Sequence, residues 1–431
     1  MLRTTRQLPI QPRRDAWLEV DLNAIEANAQ AIQNCVSKST GIMAIIKADA
    51  YGHGAVMLAP ILQTYGVSWF GVASIDEALQ LRQAGIETPI LVIGAIPDWA
   101  IPVAVEHNIH LTFFMESQRQ AAIQALAHSP TPLRIHIKVD TGMHRIGVAY
   151  AEAADFIAQC QNTPQLCVDG LFTHFATAND PTAQAQQWER FHQVLQSVAT
   201  LPPCIHLDNT CASVIQYAGH LPNTAPWQRL QTQMQDTTAF ITKHGSQLLA
   251  RFGIAYCGYL PERNDLEAQG LLNPDDFPLT PAMQLKARIA HVQSLAPGEG
   301  VSYNATYTNT TDTPQRIATI PLGYADGLPR RLSNHMQAFW HGQRVPQVGN
   351  ITMDQLMLDI TACPDAKVGD TITLLGYGGS ACLTPDDWHS PTQSCWLDTW
   401  AKHLGTIEYE LMCALRVRLP RVYTRMFPLG E

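Results

Sequence analysis

The chain has 431 residues, 46% of them hydrophobic, and a formal net charge of −9. That length exceeds one comfortable core, so two domains are expected. The acidic balance argues against nonspecific binding to nucleic acid or an anionic membrane surface, and no apolar run reaches the roughly 18 residues a spanning helix needs.

The N-terminal arginines are followed by Asp15, Glu19 and Asp21 instead of an apolar segment, so no signal peptide is expected and the location expected is cytoplasmic. The ten cysteines contain no CxxC pair, which points to reduced thiols and no metal site. From residue 41 onward, eight short apolar runs alternate with helical patterns: 41–46, 69–74, 89–94, 110–114, 133–139, 168–173, 204–207 and 248–253. The stretch 75–85 shows the 3.6-type spacing and ends in Gly85. Eight alternations predict a (β/α)8 barrel over residues 14–278, with an open doubly wound sheet as the competing count. From residue 279 the texture turns to strands joined by Gly, Pro and Asp turns, at 287–295, 316–321, 337–345, 357–360 and 414–418. A mainly β domain over 279–431 is expected, with residues 1–13 associated with it. Segments 216–245 and 376–394 are weakly patterned and read as insertions; Trp388, Trp396 and Trp400 are expected to pack the second.

The chemistry-bearing residues cluster at the ends of the apolar runs. Lys47 follows the first, in Lys47-Ala48-Asp49-Ala50-Tyr51-Gly52-His53-Gly54. A lone strand-end lysine is more often a side chain snorkelling to solvent. A desolvated one has a lowered pKa and serves as nucleophile and base. Run five delivers Lys138, Asp140 and Arg145, run six His174, run seven His206, Asn209 and Thr210, and run eight Arg251, Gly253 and Ile254. Barrel enzymes place their chemistry at these ends, with phosphate sites often after strands seven and eight. Thr210 and the amides of Gly253 and Ile254 suit a phosphate.

The octapeptide at Lys47 resembles the lysine motif of alanine racemases, and the resemblance extends from about Trp17 to Arg421. It implies pyridoxal 5′-phosphate (PLP) held by Lys47 as a Schiff base. Tyr51, Thr210, Gly253, Ile254 and Tyr409 resemble the phosphate ligands, with Thr210 where serine is usual. Arg251 matches the arginine facing the pyridine nitrogen, and His206 the histidine supporting it. The segment 320–327 resembles the one carrying the second base, Tyr324, and 349–354 the loop whose Met353 amide and Asp354 face the substrate. Arg145 matches the arginine near the substrate carboxylate, and Lys138 the lysine that family members carry as a carbamate. His174 is the expected hydrogen-bond donor to Tyr324, and His174 and Asn209 are expected among the groups around the cofactor. Cys257, Asn304 and His144 depart from the family pattern.

The reading is a PLP-dependent racemase of a small amino acid, converting L-alanine to D-alanine by two-base proton transfer from Lys47 and Tyr324. A tyrosine base needs its pKa of about 10 lowered by roughly two to three units, or about 3–4 kcal/mol, which a partly buried Arg145 and a hydrogen bond from His174 together would supply. Arg251 has no acceptor for a ring proton, which suits proton exchange better than transamination or decarboxylation. A serine or broad-specificity racemase is the alternative. A non-catalytic PLP-binding barrel is disfavoured by the second domain. The family resemblance also implies a head-to-tail homodimer, with Tyr324, Met353 and Asp354 completing the partner's site across a large interface.

Overall fold

The computed structural model describes residues 14–273, 275–378, 394–415 and 418–425. They divide into two compact units: residues 26–50 with 54–279, and the remaining described residues. No helix among the described residues is long and apolar enough to cross a membrane.

The described chain opens with β1 (Ala16–Asp21), which is not a barrel strand. The barrel strands are β2 (Gly41–Ile45), β3 (Val67–Val72), β4 (Ile90–Val92), β5 (His110–Phe113) and β6 (Leu133–Asp140). After the two-residue β7 (Val148–Ala149) come β8 (Leu166–Phe172), β9 (Cys204–His206) and β10 (Gln247–Phe252). The order β5-β4-β3-β2-β10-β9-β8-β6, closed by pairing of β5 with β6, makes an eight-stranded parallel barrel. All eight expected runs are strands. They were visible because a parallel strand is covered on both faces and reads as an unbroken apolar run; every residue of β2, β4 and β5 is buried.

The helices follow ordinary signals. Ser74 caps the helix Ile75–Gln83 by accepting the Glu77 N–H, and Ile75, Ala78 and Leu81 form its buried face. Residues 216–245 are not an unpatterned insertion. They contain the 19-residue helix Ala225–Lys243, with Trp227, Leu230, Met234, Thr237 and Ile241 buried at spacings of three and four. It packs beside the helix Pro181–Ser197, where the His192 ring meets the Thr237 hydroxyl at 3.0 Å. Glutamines and threonines on the outer face hid that period.

The second unit continues with β11 (Met283–Arg288), β12 (His291–Leu295), β13 (Gly300–Val301), β14 (Tyr307–Thr308) and β15 (Gln315–Ile320). Then come β16 (Gln337–Trp340), β17 (Gln343–Val348), β18 (Leu356–Asp359), β19 (Thr371–Tyr377), β20 (Ser394–Cys395) and β21 (Arg421–Thr424). Its main sheet runs β12-β15-β18-β17-β16-β19-β11-β1-β21. Four expectations change here. β1 pairs antiparallel with β11, so the barrel unit starts at residue 26 and not at 14. The run 287–295 is two strands, and 337–345 a hairpin turning at His341 and Gly342, both with positive φ. Residues 414–418 are not a strand: Ala414 ends the helix Glu408–Ala414, residues 416 and 417 lie outside the described residues, and the last strand is β21. Trp396 and Trp400 are buried at the helix Leu397–Leu404, whereas residues 379–393, with Trp388, and residues 1–13 lie outside the described residues.

Inside the barrel, β8 passes His136 so closely that a Cβ on Gly170 would overlap the imidazole. Overpacking a core of this density costs about 3 kcal/mol. Gly170→Ala is expected to lose that much stability in urea unfolding with the m-value unchanged. An unaltered midpoint would show that the His136 ring has room to move.

Candidate active site

Lys47 stands half-buried just past β2, at the carboxyl end of the barrel. The turn that follows is left-handed: Ala48, Asp49, Ala50 and Tyr51 all have φ between 52° and 57°. Each such residue carries roughly 1–2 kcal/mol of backbone strain, so the surroundings must hold the turn. Glu77 does so with both oxygens, accepting the Ala48 and Ala73 amides at 2.7 Å each. Asp49 accepts the Ala55 amide at 2.8 Å, and the Cys257 thiol donates to the Ala50 carbonyl at 3.6 Å.

Lys138 and His174 each lie within electrostatic range of Lys47, Arg145 and Arg251 at the same barrel mouth. Burial, then the charges of Arg145 and Arg251, push the Lys138 amine down to about 8. Arg145 is exposed and not partly buried as expected, because it sits in a surface loop organised by Asp140, whose Oδ1 accepts the amides of Gly142, Met143 and His144 at 2.9–3.1 Å. Burial works against the Asp140 carboxylate, but these amides hold it below its usual range.

Arg251 is wholly buried, and burial lowers it to about 10 against the pull of Asp208. Its donors go to the carbonyls of Asp208, Thr173 (2.9 Å) and Leu207 (2.8 Å), to His206 Nδ1 (3.2 Å) and to His174 Nδ1 (3.1 Å). A guanidinium offers no acceptor, so both histidines must accept at Nδ1 and carry their proton on Nε2. His206 Nε2 then donates to His136 Nδ1 at 2.9 Å. Burial, followed by the neighbouring cations, drives His174 well below its ordinary range, so it is a neutral donor at pH 7.

Two helix starts meet beside this group. Asn209 caps the helix Thr210–Tyr217 by accepting the Ala212 amide at 2.9 Å, and Gly253 precedes the short helix Ile254–Cys257. The Gly253 amide donates to the Thr210 hydroxyl at 3.0 Å, which fixes the two starts together. Helix-start amides with a hydroxyl between them form an anion cradle.

Tyr324, Met353, Asp354, Tyr51 and Tyr409 belong to the second unit. Tyr324 and Met353 are exposed, and with Tyr303, Arg330 and Asp354 they line a cavity of 680 Å³. The backbone binds the two segments together: the Tyr324 amide donates to Thr352 O and the Ala325 amide to Met353 O, both at 3.0 Å. Beneath them the buried Asp326 accepts the Gly323 amide at 2.9 Å and pairs with Arg14 and Arg418. Arg418 also reaches Asp354 at 2.8 Å. The Tyr51 and Tyr409 rings meet edge to face at 5.7 Å.

Two family descriptions match the chain: "Alanine racemase, N-terminal domain" over residues 20–225 and "Alanine racemase, C-terminal domain" over residues 282–423. The chain belongs to the alanine racemase family. The alanine racemase of Nostoc sp. is 36% identical over 421 residues, covering 94% of this chain and 95% of the relative. The crystal structure of alanine racemase from E. faecalis superposes with a TM-score of 0.78 at 31% identity, covering 97% of this chain and 100% of that one. That of Bacillus anthracis with bound L-Ala-P gives 0.78 at 32% identity, over 96% and 95%.

Against this family background, several residues that shape the site were not picked out from the sequence. Glu77, Asp208, Asp326 and Arg418 act through other residues, and no local pattern marks them. His136 had a signal, because it lies two residues before Lys138 on the same inward-facing alternation of β6. Glu77 holds the strained turn through the Ala48 amide and ties it to the end of β3 through the Ala73 amide, two charge-assisted bonds worth about 1.5–3 kcal/mol each. Glu77→Ala is therefore expected to destabilise the protein by about 3 kcal/mol in denaturant titration. A loss below about 0.5 kcal/mol would mean that the turn is held by other contacts.

Proposed function

We propose that the protein interconverts L- and D-alanine with PLP as cofactor, by proton transfer at both faces of the substrate's α-carbon. The observation that carries this reading is the set of groups at the barrel mouth: a lysine on a strained turn, three further cations, and an anion cradle of helix-start amides and a hydroxyl. Such a set fits a phosphorylated aldehyde together with an amino-acid carboxylate. When bound, PLP draws electrons from the substrate's α-carbon and so loosens its α-proton.

The roles follow from the side chains. Lys47 holds the cofactor aldehyde and moves the proton on one face. Tyr324 moves it on the other, with the Nε2–H of His174 and the charge of Arg145 stabilising its phenolate. Thr210, the Gly253 and Ile254 amides, Tyr51 and Tyr409 would hold the phosphate, the Gly253 amide turning to it from the Thr210 hydroxyl, and Asn209 fixes the helix start that presents Thr210. Arg251 would meet the ring nitrogen with a cation that has nothing to accept a proton with, which suits proton exchange. His206, oriented from His136, keeps Arg251 in place. Arg145, Asp354 and the Met353 amide face the substrate. Lys138, near neutrality partly an uncharged amine, takes up carbon dioxide and loses a proton to become an anion that orients Arg145. The nine free cysteines among the described residues are in keeping with a cytoplasmic enzyme. The alanine racemase relatives do not favour a serine or broader specificity.

Exchange of the α-proton in deuterated water tests the two-base scheme. Lys47→Ala is expected to lose visible cofactor absorbance and nearly all exchange. Tyr324→Phe should impair exchange from L-alanine far more than from D-alanine. Equal impairment from both enantiomers would count against opposite-face bases.

Assembly follows from the exposed Tyr324 surface. Exposed Tyr303, Tyr324 and Met353 beside Arg330 and Asp354, a mixed surface carrying a catalytic base, call for a covering partner, and the occupant proposed is the barrel mouth of a second copy, in a homodimer whose two sites are shared. Lys47→Ala and Tyr324→Phe, each inactive in racemisation, should then rescue one another after subunit exchange. Each heterodimer holds one intact site, so about half the parent activity per dimer is expected. Demonstrated heterodimers without activity would place both bases on one chain.

A further inference from the structure

Asp208 is a carboxylic acid that the mechanism above does not use. It is 1% exposed, two residues beyond the end of β9, and neither carboxylate oxygen has a hydrogen-bond partner. A buried polar group without a partner costs free energy and asks for an explanation.

The groups around it are few. Arg251 faces it from β10, and Ser213 and Tyr217 from the helix Thr210–Tyr217. Arg251 Nε donates to the Asp208 backbone carbonyl, Nη2 is shared among two carbonyls and His174, and Nη1 meets His206; none of them reaches a carboxylate oxygen, so Arg251 gives the carboxyl a field without a bond. The Ser213 hydroxyl donates to the Arg251 carbonyl at 3.1 Å. Tyr217 is half-buried, and its buried hydroxyl lies within electrostatic range of the carboxyl. The carboxyl therefore has one cation nearby, and its one close donor, the Ser213 hydroxyl, is shared with the Arg251 carbonyl.

We propose that Asp208 is a positioning residue for Arg251: as a neutral acid it leaves the full cationic field of Arg251 on the cofactor's ring nitrogen, and as an anion it cancels part of that field. This rests on the reading that PLP lies against Arg251. Burial raises the carboxyl to about 7, with Arg251 pulling the other way, so the change falls within the working range of an ordinary enzyme. Folding carries the same signature. The folded state keeps a proton that the unfolded chain releases near the reference value of about 4. The stability this contributes is complete below that value and is lost as pH rises through about 7.

The test uses the full chain with and without added PLP. In the loaded parent, the visible band should shift with a midpoint near pH 7, and Asp208→Asn should remove that inflection. In the unloaded protein, the melting temperature of Asp208→Asn should gain on the parent between pH 5 and pH 8. If Asp208→Asn does not fold, Asp208→Ala removes the acid without asking for room. A bound, coloured cofactor with the same titration in parent and variant, or with none in either, overturns the proposal. A parent that takes up no PLP and never colours overturns the cofactor reading instead. In that event the melting comparison still decides whether Asp208 titrates: parallel pH profiles would reject it.

Discussion

The Arg251 guanidinium is the fixed point of the barrel end. Taking a cation out of water costs several kcal/mol unless its donors are satisfied, and here they reach three backbone carbonyls and two imidazoles. Those acceptors come from the segments following β8 and β9, so one side chain ties together the two loops that carry His174 and Asn209. It also settles protonation without any titration. Because arginine only donates, His206 and His174 become Nδ1 acceptors, and the direction of the bond to His136 follows. Lysine in this place would offer three donors on a flexible stem and leave acceptors unpaired.

A second constraint is the strained turn after Lys47. Four consecutive non-glycine residues in the left-handed region cannot persist on local preference. They persist because Glu77, Asp49 and Cys257 hold the backbone from separate directions. The Cys257 thiol is the weak donor of the three, reaching the Ala50 carbonyl at 3.6 Å. In the second unit, Asp326 does comparable work, since one buried carboxylate holds an amide of the Tyr324 strap and two arginines.

The barrel was legible because a buried parallel strand announces itself as a continuous apolar run and each run ended in polar residues. The same rule found Lys47, Lys138, His174, His206, Thr210 and Arg251 before any coordinates. What the sequence hid has physical reasons. β1 is an apolar strand whose partners lie more than 260 residues away, and local pattern carries no information about that pairing. The helix Ala225–Lys243 buries five side chains against a polar remainder, so composition masked its period. The left-handed turn is spelled Ala-Asp-Ala-Tyr, without the glycine or asparagine that usually signals positive φ. Its geometry is imposed by Glu77, a residue from the next βα unit.

The charge balance at the barrel mouth connects stability to function. Lys47, Lys138, Arg145 and Arg251 repel one another there, and the nearby acids do not neutralise them: Asp140 is committed to its loop, and Asp208 is held back from ionising by burial. A fold selected for stability alone would not gather these cations. A phosphate and a substrate carboxylate would relieve the repulsion, so ligand affinity and folding stability draw on the same stored energy. The lowered Lys138 amine is the local expression of that repulsion, and losing its charge is the route by which the chain itself relieves part of it before any substrate arrives.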